Sequence, residues 1–199
     1  MALKKRYGMA VDTRRCVGCN ACVIACKTEN ALPEGGFRDW IVQEVWGKFP
    51  DLSMQIRSER CNQCSDAPCV SSCPTGASHV AEGGVVMVSR AKCTGCKACM
   101  ASCPYGARYV HPDGHVDKCT FCLHRTSIEP GERSLAARGE HSPASIRRTT
   151  ACAEVCPTRS LTFGDLADPA SDVARLVASR RHEVVRPEAG TVPNVFFLV

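Results

Sequence analysis

Residues 93–104 read Cys93-Thr-Gly-Cys96-Lys-Ala-Cys99-Met-Ala-Ser-Cys103-Pro104, a C-x2-C-x2-C-x3-C-P run. Few stretches restrict a fold as tightly. Three thiols two residues apart let one short loop wrap three corners of a cubane iron–sulfur cluster. The fourth thiol sits at the start of a helix and faces away, so it suits a neighbouring cluster better than its own loop's. Gly95 lets the loop turn with positive φ, and Pro104 redirects the chain. An exported ligand needs a second run to receive it.

Three further runs are present. Cys16-Val-Gly-Cys19-Asn-Ala-Cys22-Val-Ile-Ala-Cys26 repeats the spacing, with Lys27 where proline would stand. Cys61-Asn-Gln-Cys64-Ser-Asp-Ala-Pro-Cys69-Val-Ser-Ser-Cys73-Pro74 stretches the middle gap by two residues. The last run is split, opening with Cys119-Thr-Phe-Cys122 and closing with Cys152-Ala-Glu-Val-Cys156-Pro157. Four runs of four use all 16 cysteines of the chain. The spacing therefore predicts four [4Fe–4S] clusters. Structural zinc is the rival, but it closes a single tetrahedron from paired C-x2-C units and has no use for a third cysteine two residues later. Cys119-Thr-Phe-Cys122 alone resembles a redox-active pair; within a sixteen-thiol set it reads as half a cluster loop.

Composition agrees with a metal-held fold. Only 6% of the 199 residues are aromatic, a weak core for this length, and metal binding can supply folding free energy directly. Disulfides are the other use for an even cysteine count. The opening Met1-Ala-Leu-Lys-Lys-Arg leads into Tyr-Gly-Met-Ala-Val-Asp with no apolar h-region, which reads as a chain without its own signal peptide. The same absence speaks against a twin-arginine signal at Arg14-Arg15. The longest apolar run, residues 195–199, is strand-sized, so no membrane span is expected. The formal charge is +5 with neutral cysteines. Four oxidised cubanes at about −2 each bring the loaded protein to about −3, and full reduction to about −7. The basic excess thus offsets cluster charge. Lys and Arg are scattered rather than gathered on one stretch, which speaks against nucleic acid.

Along the chain, residues 7–12 read as a strand and Cys22 to about Asn30 as a helix, with Val23, Ile24 and Cys26 on or near one face. Residues 40–46 and 53–57 read as strands, with Trp40 and Trp46 expected to pack inward. Residues 77–88 form a hairpin around Glu82-Gly83-Gly84, and 107–118 repeat that layout around Pro112-Asp-Gly114. Cluster loop, short helix and hairpin, then another cluster loop, is an internal repeat. Residues 123–151 read as a surface insertion. A strand at 160–163 follows, then a helix capped by Asp168 with Pro169 at its first position and Val173, Leu176 and Val177 on one face. That helix should end near Arg180-Arg181, and residues 193–199 form a last strand. The predicted class is α+β: two fused bacterial-type ferredoxin units, each holding two clusters, with short helices and hairpins. Residues 1–60 with 105–199 would form the unit of the first and fourth runs, and 61–104 that of the second and third.

His111, His115 and His124 lie near the fourth run, but with sixteen cysteines in place no histidine is needed as a ligand. Met100 is expected to pack. Lys27, Lys92, Lys97 and Lys118 sit beside ligands, where they either raise potentials or simply take up solvent. No dinucleotide fingerprint, P-loop or zinc-protease motif is present. No catalytic residue and no substrate pocket of the chain's own are expected.

With these motifs in view, the sequence resembles the four-cluster iron–sulfur (beta) subunit of the complex iron–sulfur molybdoenzymes, of the polysulfide, thiosulfate and dimethyl-sulfoxide reductase type. Carrying the likeness are Met9-Ala-Val-Asp12, Cys16-Val-Gly-Cys19-Asn-Ala-Cys22, Pro68-Cys69, Cys73-Pro-Thr-Gly-Ala77, Cys103-Pro-Tyr-Gly-Ala-Arg108, Lys118-Cys119-Thr-Phe-Cys122 and Phe163-Gly-Asp-Leu166. The resemblance implies which runs share clusters. Cluster one would use Cys16, Cys19, Cys22 and Cys156, and cluster two Cys61, Cys64, Cys69 and Cys103. Cluster three would use Cys93, Cys96, Cys99 and Cys73, and cluster four Cys119, Cys122, Cys152 and Cys26. Some relatives carry tryptophan in the third run and a [3Fe–4S] centre; Cys96 keeps the cubane here. The insertion at 123–151 departs from the family pattern.

The resemblance also implies a place in a respiratory complex. The chain would relay electrons between a molybdopterin-dependent catalytic subunit and an integral-membrane, quinone-interacting subunit. It would sit peripherally, at the periplasmic face by export with its partner, the cytoplasmic face being the alternative. A polyferredoxin-like subunit of a hydrogenase or formate dehydrogenase complex is the rival function.

Overall fold

The computed structural model describes residues 5–126 and 149–199. Of the insertion expected at 123–151, residues 127–148 lie outside the described part. Its two ends are helical: α4 (Leu123–Thr126) and the start of α5 (Ala151–Glu154).

The scaffold is a four-stranded sheet of order β8-β1-β10-β9. Strand β1 (Tyr7–Asp12) is buried along its whole length. It pairs antiparallel with β8 (Leu161–Asp165) and parallel with β10 (Val195–Leu198), while β9 (His182–Glu183) closes the edge against β10. Alternation along a strand sends neighbours to opposite faces. Tyr7, Met9 and Val11 enter the core that contains Cys22, Cys61, Cys119 and Cys152. Ala10 faces the other way, onto Val173 and Leu198. The layers are therefore α6 (Asp172–Ser179), the sheet, and then the thiol-bearing loops.

Two register facts bring distant runs together. The end of β1 abuts the start of β8: Val11 pairs with Leu161, and the Asp12 amide donates to the Ser160 carbonyl at 2.7 Å. The first run leaves β1 just as Cys156 enters β8, so the two meet. Likewise α1 (Ala21–Glu29) packs on α5, and α2 (Pro68–Ser71) on α3 (Ala98–Ala101). In the second pair the Ser72 and Ser102 hydroxyls lie 2.9 Å apart.

Strands β2 (Asp39–Lys48) and β3 (Asp51–Arg60) form a long antiparallel hairpin. Two short hairpins follow: β4 (Ser78–Val80) with β5 (Val86–Val88), and β6 (Tyr109–Val110) with β7 (Val116–Asp117). Val116 packs with Cys64, Cys69 and Cys99 in a second core cluster, as does Met100.

Four local expectations need correction. The fourth thiol of a run does not open a helix: Cys103 follows α3 and Cys73 follows α2. Trp40 packs against the core, but Trp46 is 52% exposed, because the hairpin runs past the body of the protein and its outer half meets solvent. Ile24 is 62% exposed, while its neighbours Val23 and Cys26 are buried. The last helix starts later than expected. Its cap is Ser171, whose Oγ accepts the Ala174 amide at 3.2 Å. Asp168 instead accepts the Ala170 amide at 2.9 Å, closing a local turn that competes with a cap.

Leu198 is 1% exposed on the central strand pair. Leu198→Ala is expected to cost about 2–5 kcal/mol. Trp46→Ala, on the free half of the hairpin, should change stability by no more than about 0.5 kcal/mol. Anaerobic thermal melts of the loaded protein, compared at equal iron content, check both.

Candidate metal centres

The sixteen thiols gather around four hollows. One is lined by Cys16, Cys19, Cys22 and Cys156, and one by Cys26, Cys119, Cys122 and Cys152. A third is lined by Cys73, Cys93, Cys96 and Cys99, and the last by Cys61, Cys64, Cys69 and Cys103. Among the described residues no histidine lines any of the four. Each hollow takes three thiols from one run and one from another, and is numbered by the run that supplies three.

Backbone geometry explains how short loops present three thiols at once. Gly18 and Gly95 both have φ +68°, and Asn20 and Lys97, each just after the second cysteine, have φ 61° and 63°. In the second run the left-handed residue is Gln63, at φ 47°, and in the fourth they are Phe121 and Cys122, at φ 51° and 49°. The first and third runs thus share one loop conformation, whereas the second and fourth both turn at the residue before their second cysteine and the fourth stays left-handed through that cysteine. At Gly95 an added Cβ would lie 2.3 Å from the Gly114 carbonyl oxygen, so glycine is required twice over, by conformation and by space.

Electrostatic neighbours order the hollows. The Cys22 thiol feels Cys152, joining the first to the fourth. Cys119 feels Cys61, joining the fourth to the second. Arg108 lies beside both Cys69 and Cys99, joining the second to the third. The row runs first, fourth, second, third. Its ends are open, with Cys19 and Cys96 exposed, whereas every thiol of the fourth hollow is buried.

Several interior thiols are costly to ionise. Burial pushes Cys119 up to about 12 although Arg60 pulls the other way, and pushes Cys122 and Cys64 up to about 11. Two thiols that precede proline, Cys73 and Cys156, behave differently. Cys73 lies below its usual value because the Ser78 amide donates to its sulfur at 3.3 Å. Burial opposes ionisation at Cys156, but the Ser160 and Thr158 hydroxyls and the Ser160 amide, also at 3.3 Å, outweigh it. This donor set fits [4Fe–4S] clusters: four sulfurs converge on each hollow, and N–H groups are aimed at several of them.

Several polar residues here escape a search for ligands. Gln63, 0% exposed, donates to the Cys119 carbonyl at 2.7 Å and accepts the Val86 amide at 2.8 Å, tying the second run to the fourth. Arg60 donates to Cys152 Sγ at 3.0 Å, and Arg108 to Cys69 Sγ at 2.8 Å. The repeated Cys-Pro-Thr of 73–75 and 156–158 was a visible signal for the hydroxyls. Arg60 is told only by its adjacency to Cys61, and Gln63 by its adjacency to Cys64. His111 and His115 stack on each other at 4.5 Å in the β6–β7 turn, and His124 pairs with Glu29 at 2.7 Å. Lys118, 1% exposed, is not solvated. Lys27 donates to the Pro33 and Gly36 carbonyls.

A 4Fe-4S dicluster domain family matches residues 15–77, and a second family of the same description matches 52–135. The sequence is 41% identical over 199 residues to the B chain of polysulfide reductase from Wolinella succinogenes, covering 98% of this protein and 95% of that one. It is 36% identical over 200 residues to the B subunit of tetrathionate reductase from Salmonella typhimurium, covering 98% and 73%. Identity to the arsenate respiratory reductase iron-sulfur subunit of a Shewanella species is 34% over 225 residues, covering 97% and 96%. The protein belongs to the four-cluster iron–sulfur subunits of the complex iron–sulfur molybdoenzymes. Two fused dicluster units of α+β ferredoxin type give four [4Fe–4S] clusters. It is an electron-transfer subunit, and membership in this family implies a catalytic partner subunit. Among the described residues no helix is long and apolar enough to cross a membrane.

Because ligation requires thiolate, loading releases protons and unloading takes them back. Stripping iron with a chelator at pH 7 should draw protons onto buried thiols such as Cys119 and Cys122 and collapse the far-ultraviolet circular dichroism together with the brown absorbance. A weakly buffered indicator assay reads the uptake.

Proposed function

We propose that this subunit passes electrons between a molybdopterin-dependent catalytic subunit and a quinone-interacting membrane subunit. The observation that carries the reading is the row itself: four four-thiol hollows, closed in the middle and open at both ends. A relay between two partners needs two accessible termini and a shielded interior, and the openness of the Cys19 and Cys96 loops supports that. When bound, each cluster accepts and releases one electron at a potential set by charge, hydrogen bonds and exposure. The protein's part is to hold the thiols, keep water from the inner sites and present the two end loops.

The ligand sets follow the hollows: Cys16, Cys19, Cys22 and Cys156 for cluster one; Cys61, Cys64, Cys69 and Cys103 for cluster two; Cys93, Cys96, Cys99 and Cys73 for cluster three; Cys119, Cys122, Cys152 and Cys26 for cluster four. The two ferredoxin units are 61–104 for clusters two and three, and 1–60 with 105–199 for clusters one and four. The β6–β7 hairpin belongs to the second range in sequence yet packs on the first unit through Val116. The assembly sits peripherally, on the periplasmic face by co-export with its catalytic partner.

The loaded protein should contain about 16 iron and about 16 sulfide, four of each per cluster. Cys103→Ser should destroy the centre built on Cys61, Cys64 and Cys69 and spare the one built on its own loop; electron paramagnetic resonance of reduced samples tells which is lost. Affinity purification from membranes should bring down a molybdopterin-containing subunit. Recovery of a hydrogenase large subunit instead would reassign the complex.

A further inference from the structure

Four closely spaced clusters accumulate negative charge as they are reduced, and the interior of this protein offers little water to screen it. Among the described residues, each seam of the row contains one buried cation. Arg60 lies between the first and fourth hollows, with a side chain 0% exposed. It donates to Cys152 Sγ at 3.0 Å and to the Ser58 hydroxyl. The Ser58 hydroxyl in turn lies 3.5 Å from Cys22 Sγ. One guanidinium therefore reaches a thiol of one hollow directly and a thiol of the next through a serine.

The other half of the molecule repeats the device. Arg108, 6% exposed, donates to Cys69 Sγ at 2.8 Å and to the Ser78 hydroxyl at 2.9 Å. Ser78 donates its amide to Cys73 Sγ at 3.3 Å, across the seam between the second and third hollows. In the middle seam, Lys118 donates to the Cys119 carbonyl at 2.6 Å and to that of Val86, which lines the second hollow. Nothing in the sequence relates Arg60 to Arg108, yet each spans its seam through one arginine and one serine.

The two arginines are incompletely neutralised. Among the described residues the carboxylate paired with Arg60 is that of Asp39, at 3.9 Å; neither of its buried oxygens has a hydrogen-bond partner, nor has Arg60 Nε. The Nη1 of Arg108 is likewise buried without a partner. A desolvated charge interacts far more strongly than one in water, and N–H donors to sulfur favour the more negative cluster state.

We propose that Arg60, Lys118 and Arg108 are fixed counter-charges, one per seam, that raise the electron affinity of the clusters they separate and so keep the row reducible. The inference rests on the proposed ligand assignment. Each cation acts on the two clusters flanking its seam and leaves the others largely alone.

Redox potentiometry followed by electron paramagnetic resonance, on the protein purified anaerobically with its partners, tests this. Arg60→Gln should make the centre that Cys152→Ser abolishes about tenfold harder to reduce, about 59 mV for one electron. The site-one centre should shift less, and the other two should stay in place. Arg60→Lys, which keeps the charge, should restore most of the shift. Arg108→Gln should move the centre that Cys69→Ser abolishes. Four intact centres at wild-type potentials in both Gln variants would overturn the proposal, as would an equal displacement of all four. If Arg60→Gln does not load iron, Arg108→Gln and Lys118→Gln carry the same prediction for their own seams. The ligand assignment fails separately, if Cys152→Ser and Cys26→Ser abolish different centres.

Discussion

Everything in this fold answers to one constraint: sulfur ligands are packed where a small protein would ordinarily place aliphatic and aromatic side chains. Cys22, Cys61, Cys119 and Cys152 belong to the same core cluster as Met9, Val11, Phe121 and Phe197. Burial makes an isolated thiolate unfavourable, as at Cys119 and Cys122. Iron resolves the conflict, because a bound thiolate shares its charge with the metal. The polar residues placed among these thiols, such as Gln63 and Thr150, are there because sulfur and carbonyl groups in the interior still need donors.

The architecture follows from the exported fourth ligand. A run that sends one thiol away cannot fold by itself, and the pairings of β1 with β8, α1 with α5 and α2 with α3 bring the giver and the receiver together. The alternation of loop geometries, with Gly18 matching Gly95 and Gln63 matching Phe121, is the trace of a doubled unit. The doubling extends beyond the cysteines. Cys73 and Cys156 receive amides from Ser78 and Ser160 in the same way, and Arg60 and Arg108 occupy equivalent seams.

Membership among the molybdoenzyme iron–sulfur subunits sets what such an arrangement is for. Substrate chemistry is left to a partner, and this protein contributes a shielded path with two accessible ends. The open ends are the loops around Cys19 and Cys96. Beside the first lies the long β2–β3 hairpin, with Val45, Leu52 and Met54 exposed on its outer half. The hairpin root carries Asp39 and Arg60, so an element whose outer half lies in solvent is anchored at a fully buried arginine.

Cysteine spacing alone determined the cluster type, the number of runs and the loop–helix–hairpin repeat. These depend on contacts within about a dozen residues, and Gly95 or the Cys-Pro step write them locally. Strand and helix positions were legible for the same reason. Sequence pattern read less well wherever a distant partner decides burial. Trp46 has the composition of a core residue but lies past the edge of the body. Ile24 shares a helix with buried neighbours but faces out, and Asp168 lost the cap to Ser171 through a local turn. The order of the four hollows, the closed middle and open ends, and the cation in each seam arise only when strands some 150 residues apart pair, as Val11 does with Leu161. Charge and exposure at a thiol depend on what the tertiary fold brings within a few ångströms, and no spacing along the chain encodes that.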